Sequence, residues 1–364
     1  MDSLNLYEFH QKLGARFTDL NGKQAVSAYG DDAGEQRSLT ESAGLIDLSF
    51  RSRVCLTGAD RVRFLHGQVT NDIKSLRPGT GCYAALVTTK GRMQSDLNVY
   101  ALANELLLDF EPGLTKAVCE RLERYIVADD VQIVDVATQY GLLSIQGPQS
   151  AGVATGLGLF SELPPTPFHF CTVVDAALGE LYLVNQPRLG MVGFDLYLPI
   201  TAMATVAEKA LTLTKATGGG ACGWQALEAA RIEAGIPRFG IDMDETNLPQ
   251  ECGIEGRAIS YNKGCYIGQE VLNRIHTIGH VNRHLSGFKL GEDLENLPQR
   301  GDKVLFEGRE IGFITSALMS RRLRRPIALG YVRRERDQVG VELTLRTAGH
   351  ESTARVAELP FRPD

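Results

Sequence analysis

No run of about 18 consecutive apolar residues occurs anywhere in the 364-residue chain, so no membrane-spanning helix is expected. The opening stretch, Met1 to Leu13, carries Asp2 and Glu8 and lacks the apolar segment of a secretion signal, which predicts a cytoplasmic protein. Cys-x-x-Cys pairs are missing too. The seven cysteines, Cys55, Cys82, Cys119, Cys171, Cys222, Cys252 and Cys265, are an odd number spread far apart. So spaced, they read as thiols of a reducing compartment and disfavour a structural zinc site or a self-held iron-sulfur cluster, so no metal is expected. Positive charge is not in excess: 38 Lys and Arg against 44 Asp and Glu leave a net charge of -6. That argues against a generic nucleic-acid coat, whose affinity rests on neutralising phosphates. Gly218-Gly219-Gly220 lacks the following Gly-Lys-Ser/Thr of a phosphate cradle and reads as a flexible connector. What is present is ordinary: 43% hydrophobic and 23% charged residues fit a globular protein of two or three domains.

The apolar spacing gives an α+β class. Arg51 to Thr57 has a strand rhythm, and Val62, Leu65 and Val69 then fall at helical spacing. Tyr83 to Thr88 reads as a strand, and Met93 to Leu102 with Leu106 to Phe110 as a hairpin. Gly113 to Val127 is helical again, and Val131, Ile133 and Val136 mark a further strand. An order β-α-β-β-α-β follows, as in a ferredoxin-like split βαβ unit. A second α+β segment has strands near Phe170 to Val174, Leu181 to Val184 and Gly193 to Leu198, and helical spacing at Thr201 to Leu211 and Trp224 to Ala234. From His280 onward, short apolar runs alternate with glycine and charged turns, which predicts a small all-β sandwich or barrel.

The densest chemical signal is Asn262-Lys263-Gly264-Cys265-Tyr266-Ile267-Gly268-Gln269-Glu270. If a helix begins at Tyr266, its N-terminal dipole and Lys263 both favour a Cys265 thiolate, below the free-thiol pKa of about 8.5. The alternative is a small buried filler. Glu270 and Arg274 have i,i+4 spacing and, with Gln269, either meet a ligand or orient the loop. His276, His280 and His284 recur every four residues, but Gly279 and β-branched neighbours interrupt the helix a metal site would need. Arg321, Arg322, Arg324 and Arg325, with Arg333, Arg334 and Arg336, form one basic stretch: a solvated loop, or a dock for RNA or an acidic partner.

The run Lys263-Gly264-Cys265-Tyr266-x-Gly268-Gln269-Glu270 resembles the signature of YgfZ-type folate-binding proteins, relatives of the glycine-cleavage T-protein (aminomethyltransferase) that are linked to iron-sulfur cluster assembly or repair. Arg231-x-Glu233-Ala234-Gly235, Phe64-Leu65-x-Gly67-Gln68-x-Thr70-Asn71-Asp72 and Ile327-Ala328-Leu329-Gly330-Tyr331-Val332 are similar to further stretches of that family, so the resemblance spans nearly the whole chain. It implies a three-lobed cloverleaf around a channel for tetrahydrofolate or a one-carbon derivative. The expected lobes are 1–50 with 138–279 (central, folate-binding), 51–137 (ferredoxin-like) and 280–364 (β-barrel).

The resemblance also assigns residues. Cys265 with Lys263 is the reactive pair; Tyr83, Asp96, Arg231, Gln269, Glu270 and Arg274 are expected at the cofactor. For Tyr83 an ordinary strand aromatic, and for Asp96 and Arg231 a structural ion pair, remain as alternatives. Two departures stand out. T-proteins carry tandem aspartates after a Gly-Gly turn, and the first is needed for transfer; Gly91-Arg92-Met93-Gln94-Ser95-Asp96 puts Ser95 there. Met191 takes the place of their pterin-binding glutamate. The expected function is therefore a folate-binding accessory factor for iron-sulfur enzymes or cluster-assembly proteins. The alternatives are a folate-dependent one-carbon (aminomethyl) transferase and an RNA-docking protein linked to tRNA modification.

Overall fold

A computed structural model describes residues 4–363; residues 1–3, part of the opening stretch considered above, and 364 lie outside the described residues. The chain forms two compact units. The first runs to Leu86 and resumes over Ser95–Ala230; the second takes Val87–Gln94 and everything from Arg231 on. No helix among the described residues is long and apolar enough to cross a membrane.

The first unit opens with a hairpin absent from the sequence reading, Arg16–Leu20 with Lys23–Ala28. It turns at Asn21-Gly22, both at positive φ, the pair such a two-residue turn demands. Two sheets follow. The five-stranded sheet has the order Thr80–Val87, Met93–Ala101, Leu106–Phe110, Ser52–Thr57, Gln132–Asp135. Its last four strands have the split βαβ order; Thr80–Val87, the strand expected over Tyr83 to Thr88, is a fifth beyond the four strands of that unit. Leu56, Leu97, Val99, Leu108 and Phe110 point to one face, where the helices Arg61–Gln68 and Thr115–Glu123 cover them through Leu65, Val118 and Leu122.

The six-stranded sheet has the order Phe170–Asp175, Gly179–Asn185, Gly193–Pro199, Tyr140–Gln146, Gly44–Asp47, Gly220–Ala221. Strand alternation splits its side chains into two cores. Leu143, Ile145, Leu183, Leu196 and Leu198 pack against Val206, Ala207 and Ala210 of the helix Met203–Ala216. On the other face, Ile46, Leu142, Val184 and Tyr197 share a cluster with Trp224 and Leu227 of the helix Trp224–Glu233, and with Cys55, Tyr100 and Leu107 of the five-stranded sheet. The two sheets thus meet face to face. The triple glycine is not a connector: Gly220–Ala221 is a parallel edge strand on Gly44–Leu45, and any side chain at Gly219 would strike the Ala43 carbonyl.

In the second unit, Arg283–Leu290, Arg325–Arg333, Arg309–Ser320, Lys303–Phe306, Glu342–Thr347 and His350–Ala357 close into a six-stranded antiparallel barrel. Phe288, Leu290, Val304, Ile314, Ala328 and Val332 fill it. Closure leaves no unpaired sheet edge. The fold class is α+β with a C-terminal β-barrel.

Candidate functional site

Strand alternation places a layer of charge between the two sheets of the first unit. In Leu106-Leu107-Leu108-Asp109-Phe110, Asp109 points away from the helix-covered face and is fully buried. Arg51 Nε donates to Asp109 Oδ1 at 2.8 Å and its Nη1 to Glu111 Oε1 at 2.6 Å. Arg188 Nη2 reaches Asp109 Oδ2 at 3.1 Å, while its Nε and Nη2 grip Asp195. Asn98 donates to Asp109 at 2.9 Å and Ser144 to Asp195 at 2.7 Å. Ser144 and Asp195 face each other in register across adjacent strands, so the sheet itself sets this contact. Burial alone would raise the Asp109 carboxyl, but Arg51 and then Arg188 hold it down at about 2. The sequence reading missed this layer; its signal was an aspartate at an inward strand position inside an apolar run.

Within the same unit, Tyr83 and Asp96 come together. The Tyr83 hydroxyl donates to Asp96 Oδ2 at 2.8 Å, Tyr83 is buried, and Asp96 is half-buried. Asn71, from the Thr70-Asn71-Asp72 stretch, donates to the Tyr83 carbonyl at 2.8 Å and fixes that strand locally. Ser95 precedes Asp96 on the strand, so its side chain leaves from the opposite face. It is completely buried, and its hydroxyl bonds to the Asp96 carbonyl at 3.0 Å. Met191 is half-buried against the apolar cluster between the sheets.

The second unit holds the cysteine motif. The helix expected from Tyr266 starts only at Gln269 and runs to Ile278, because Gly268 at its N-cap has φ +85°, outside helical space. Gly268 is required there: a side chain would meet the Thr88 carbonyl and Val87 of the turn Val87–Gln94. That turn is pinned by Met93 N to Asn247 O (3.0 Å) and Arg92 Nη1 to Thr246 O (2.6 Å). Cys265 therefore sits three residues before the N-cap, outside the first turn over which the positive end of a helix dipole acts, which corrects that part of the expected setting. Lys263 is buried with its Nζ 4.8 Å above the Tyr266 ring. Burial pushes the Tyr266 hydroxyl up to about 12.

Cys265 is nonetheless distinct as the one exposed cysteine of the seven. Burial raises Cys252 to about 12 and Cys119 to about 11, and pushes Cys55 and Cys222 higher still. Gln269 is half-buried; Glu270 and Arg274 are exposed, and no ion pair joins them among the described residues. Arg231 is a correction. Its guanidinium is buried and bonded to Asp242, the Ile236 carbonyl and the Ser316 hydroxyl, an internal ion pair where a fork to a folate carboxylate was expected.

The histidines do not share a face. His276 stacks on Tyr261 with ring centroids 3.7 Å apart and pairs with Glu255, whereas His284 pairs with Asp337 at 2.6 Å on a barrel strand. The basic stretch is partly used internally: Arg322 bonds Glu233 at 2.9 Å, Arg325 bonds the Leu290 carbonyl, and Arg336 lies 3.9 Å over the Phe306 ring. Arg321, Arg324 and Arg333 are exposed.

Comparison with known proteins agrees over the full length. Residues 6–263 match the GCVT N-terminal domain, and residues 283–362 match the glycine cleavage T-protein C-terminal barrel domain. Aminomethyltransferase of Shouchella clausii is 27% identical over 98% of this chain and 96% of its own length. That of Symbiobacterium thermophilum is 29% identical, again over 98% and 96%. The crystal structure of glycine cleavage system aminomethyltransferase T from Bartonella henselae superimposes with a TM-score of 0.88 at 24% identity, covering 99% of this chain and 98% of that one.

Proposed function

The chain belongs to the glycine-cleavage T-protein family, and from that premise we propose that it binds tetrahydrofolate or a one-carbon derivative and serves folate-dependent one-carbon transfer. The observation that carries the reading is the Tyr83–Asp96 pair, a half-buried carboxylate held in place by a tyrosine hydroxyl. A carboxylate so fixed is a charge-assisted acceptor for the paired N–H groups of a pterin. Bound folate supplies the nitrogens that carry the one-carbon unit; the chain's task is to bind and orient them. Titration calorimetry with tetrahydrofolate tests this. Binding is expected, with Asp96→Asn weakening it about tenfold and Tyr83→Phe less, as expected for losing a charged and a neutral hydrogen bond. No heat at millimolar ligand overturns it.

A second reading is favoured by Ser95. A T-protein's first aspartate acts as a carboxylate, and a hydroxyl is a far weaker base. Here the hydroxyl is buried and bonded to the main chain. With Met191 at the glutamate position and Cys265 exposed, the chain suits a folate-binding accessory factor supporting assembly or repair of iron-sulfur enzymes. The two readings part in one assay with aminomethylated lipoyl carrier protein. Methylene-tetrahydrofolate formation supports the transferase; its absence, with gain by Ser95→Asp, supports the accessory role. A deletion strain complemented with wild type and with Cys265→Ala, assayed for several cluster-dependent enzymes, tests the accessory role directly. Docking to RNA or an acidic partner rests on Arg321, Arg324 and Arg333, and a cytoplasmic site of action accords with the wide spacing of the seven cysteines in the sequence.

A further inference from the structure

The outer wall of the barrel carries a cavity of about 560 Å³ to which the folate reading gives no role. Strand alternation decides what lines it. Phe288 and Leu290 fill the barrel, so Lys289 between them points outward, and Arg355 does the same between Ala354 and Val356. On the strand Arg325–Arg333, Ala328 faces in and Ile327 packs outside, which puts Arg325 outside as well. Antiparallel register then sets Lys289 directly opposite Arg355, two like charges with Cβ atoms about 5 Å apart. Arg325 reaches the strand of Lys289 from its other side, where its Nη2 donates to the Leu290 carbonyl at 3.3 Å. The segment 358–363 and the turn at Val339-Gly340 raise the remaining walls, and the former adds Arg362.

Four cations thus surround one hollow on a chain whose net charge is -6, and among the described residues Glu358 is the one carboxylate of its wall. Arg355 also pairs with Glu342 at 3.2 Å, but the two side chains are 62% and 60% exposed, and such a pair adds little. Like charges directly opposite each other weaken a sheet, and an anion seated between them turns that repulsion into attraction. All four cations have open surface: Lys289 and Arg325 are half-buried, Arg355 and Arg362 exposed. Guanidinium forks match phosphate oxygens two at a time. Three forks and an ammonium exceed the charge of one phosphate, about -2, so two linked phosphates suit the count. The volume is more than an inorganic ion fills, and Val339, Ala357 and Pro363 offer an apolar edge to an organic body. Walls on several sides admit a small molecule in preference to a nucleic-acid strand or a protein face.

We propose that this cavity binds an organic diphosphate of the nucleotide class, its phosphates at Lys289, Arg325 and Arg355. The test is calorimetry on the full chain with ADP, pyrophosphate, inorganic phosphate and adenosine as probes, in the absence of folate, so that its outcome is independent of the folate reading. ADP is expected to bind at least about tenfold more tightly than inorganic phosphate, with pyrophosphate between them and adenosine not binding. Lys289→Gln keeps an outward polar side chain and should weaken ADP about tenfold. The thermal midpoint of that variant without ligand should hold or rise, because the repulsion with Arg355 is lifted. ADP should raise the midpoint of the wild type and leave that of the Lys289→Gln/Arg355→Gln double variant nearly unchanged. Arg346→Gln, at a barrel cation outside the cavity, should keep full affinity. Absence of ADP binding at millimolar concentration, equal binding of adenosine, or full affinity in the double variant overturns the proposal. A single-stranded RNA that binds at least about tenfold more tightly than ADP, and loses that margin in Lys289→Gln, overturns it in favour of a nucleic-acid face.

Discussion

The charge layer of the first unit and the cysteine loop of the second put polar residues to opposite use. Asp109, Arg51 and Asp195 are buried and Arg188 is half-buried, each meeting opposite charge between the two sheets. Around Cys265 the order is reversed. Lys263 and Tyr266 turn inward onto each other, while the thiol and Glu270 face solvent. The first arrangement makes each member indispensable to the others, since a charge whose partner is removed stays buried. The second leaves the exposed thiol free of structural duty. Where many contacts converge on one group, substitution reads out as stability; where few do, it reads out as chemistry.

The largest effect that could break this comparison is Asp109→Ala. It takes a shared carboxylate from Arg51 and Arg188, leaving them Glu111 and Asp195, and is expected to cost about 3 kcal/mol in urea unfolding. A loss below about 1 kcal/mol would mean that the layer is not cohesive. The same carboxyl fixes the acid response. Its folded pKa of about 2 lies below the unfolded value of about 4, so the stabilisation is complete above the unfolded value and disappears as pH falls through the folded one. That amounts to roughly 2 kcal/mol, visible as a falling denaturation midpoint between about pH 4 and pH 2, and an Asp109→Asn chain should lack that component.

Gly268→Ala comes next. It forces a side chain into positive φ and against the Thr88 carbonyl, for an expected cost of about 1–3 kcal/mol by thermal unfolding. Gly67→Ala, inside a helix with open space around it, should be neutral or stabilising by up to about 1 kcal/mol. Matching effects at the two glycines would remove the argument for close approach. Smallest in stability is Cys265→Ser, expected within about 0.5 kcal/mol of wild type. The wild-type thiol should still alkylate first among the seven, by about tenfold at neutral pH because it is accessible. Equal rates at Cys82 or Cys171 would sink that selectivity.

Much of this was legible residue by residue. The strand and helix rhythms from Ser52 to Asp135 and the β-rich C-terminal run appear in place, because each element presents one apolar face at its own period. The cysteine motif stood out by composition, and its Gly268 marked a real close approach. The helix start was misjudged because Gly268 was read as part of a helical turn, though its φ shows it as the stop before one. Arg231 looked like a ligand-facing arginine from its motif; only the barrel's Ser316, 85 residues away in sequence, shows that its partners are internal.

By itself, the sequence determined the strands and helices from Ser52 to Asp135 and the β-rich C-terminal run, that no long apolar span exists, and that Lys263 to Glu270 is chemically unusual, since these follow from local spacing and residue type. Only the tertiary structure decided that Asp109 shares two arginines, that Ser95 is sealed against its own strand, and that the triple glycine is an edge strand. These depend on sheet register and on sheets meeting face to face, contacts between residues tens to more than a hundred positions apart, for which a one-dimensional pattern carries no signal.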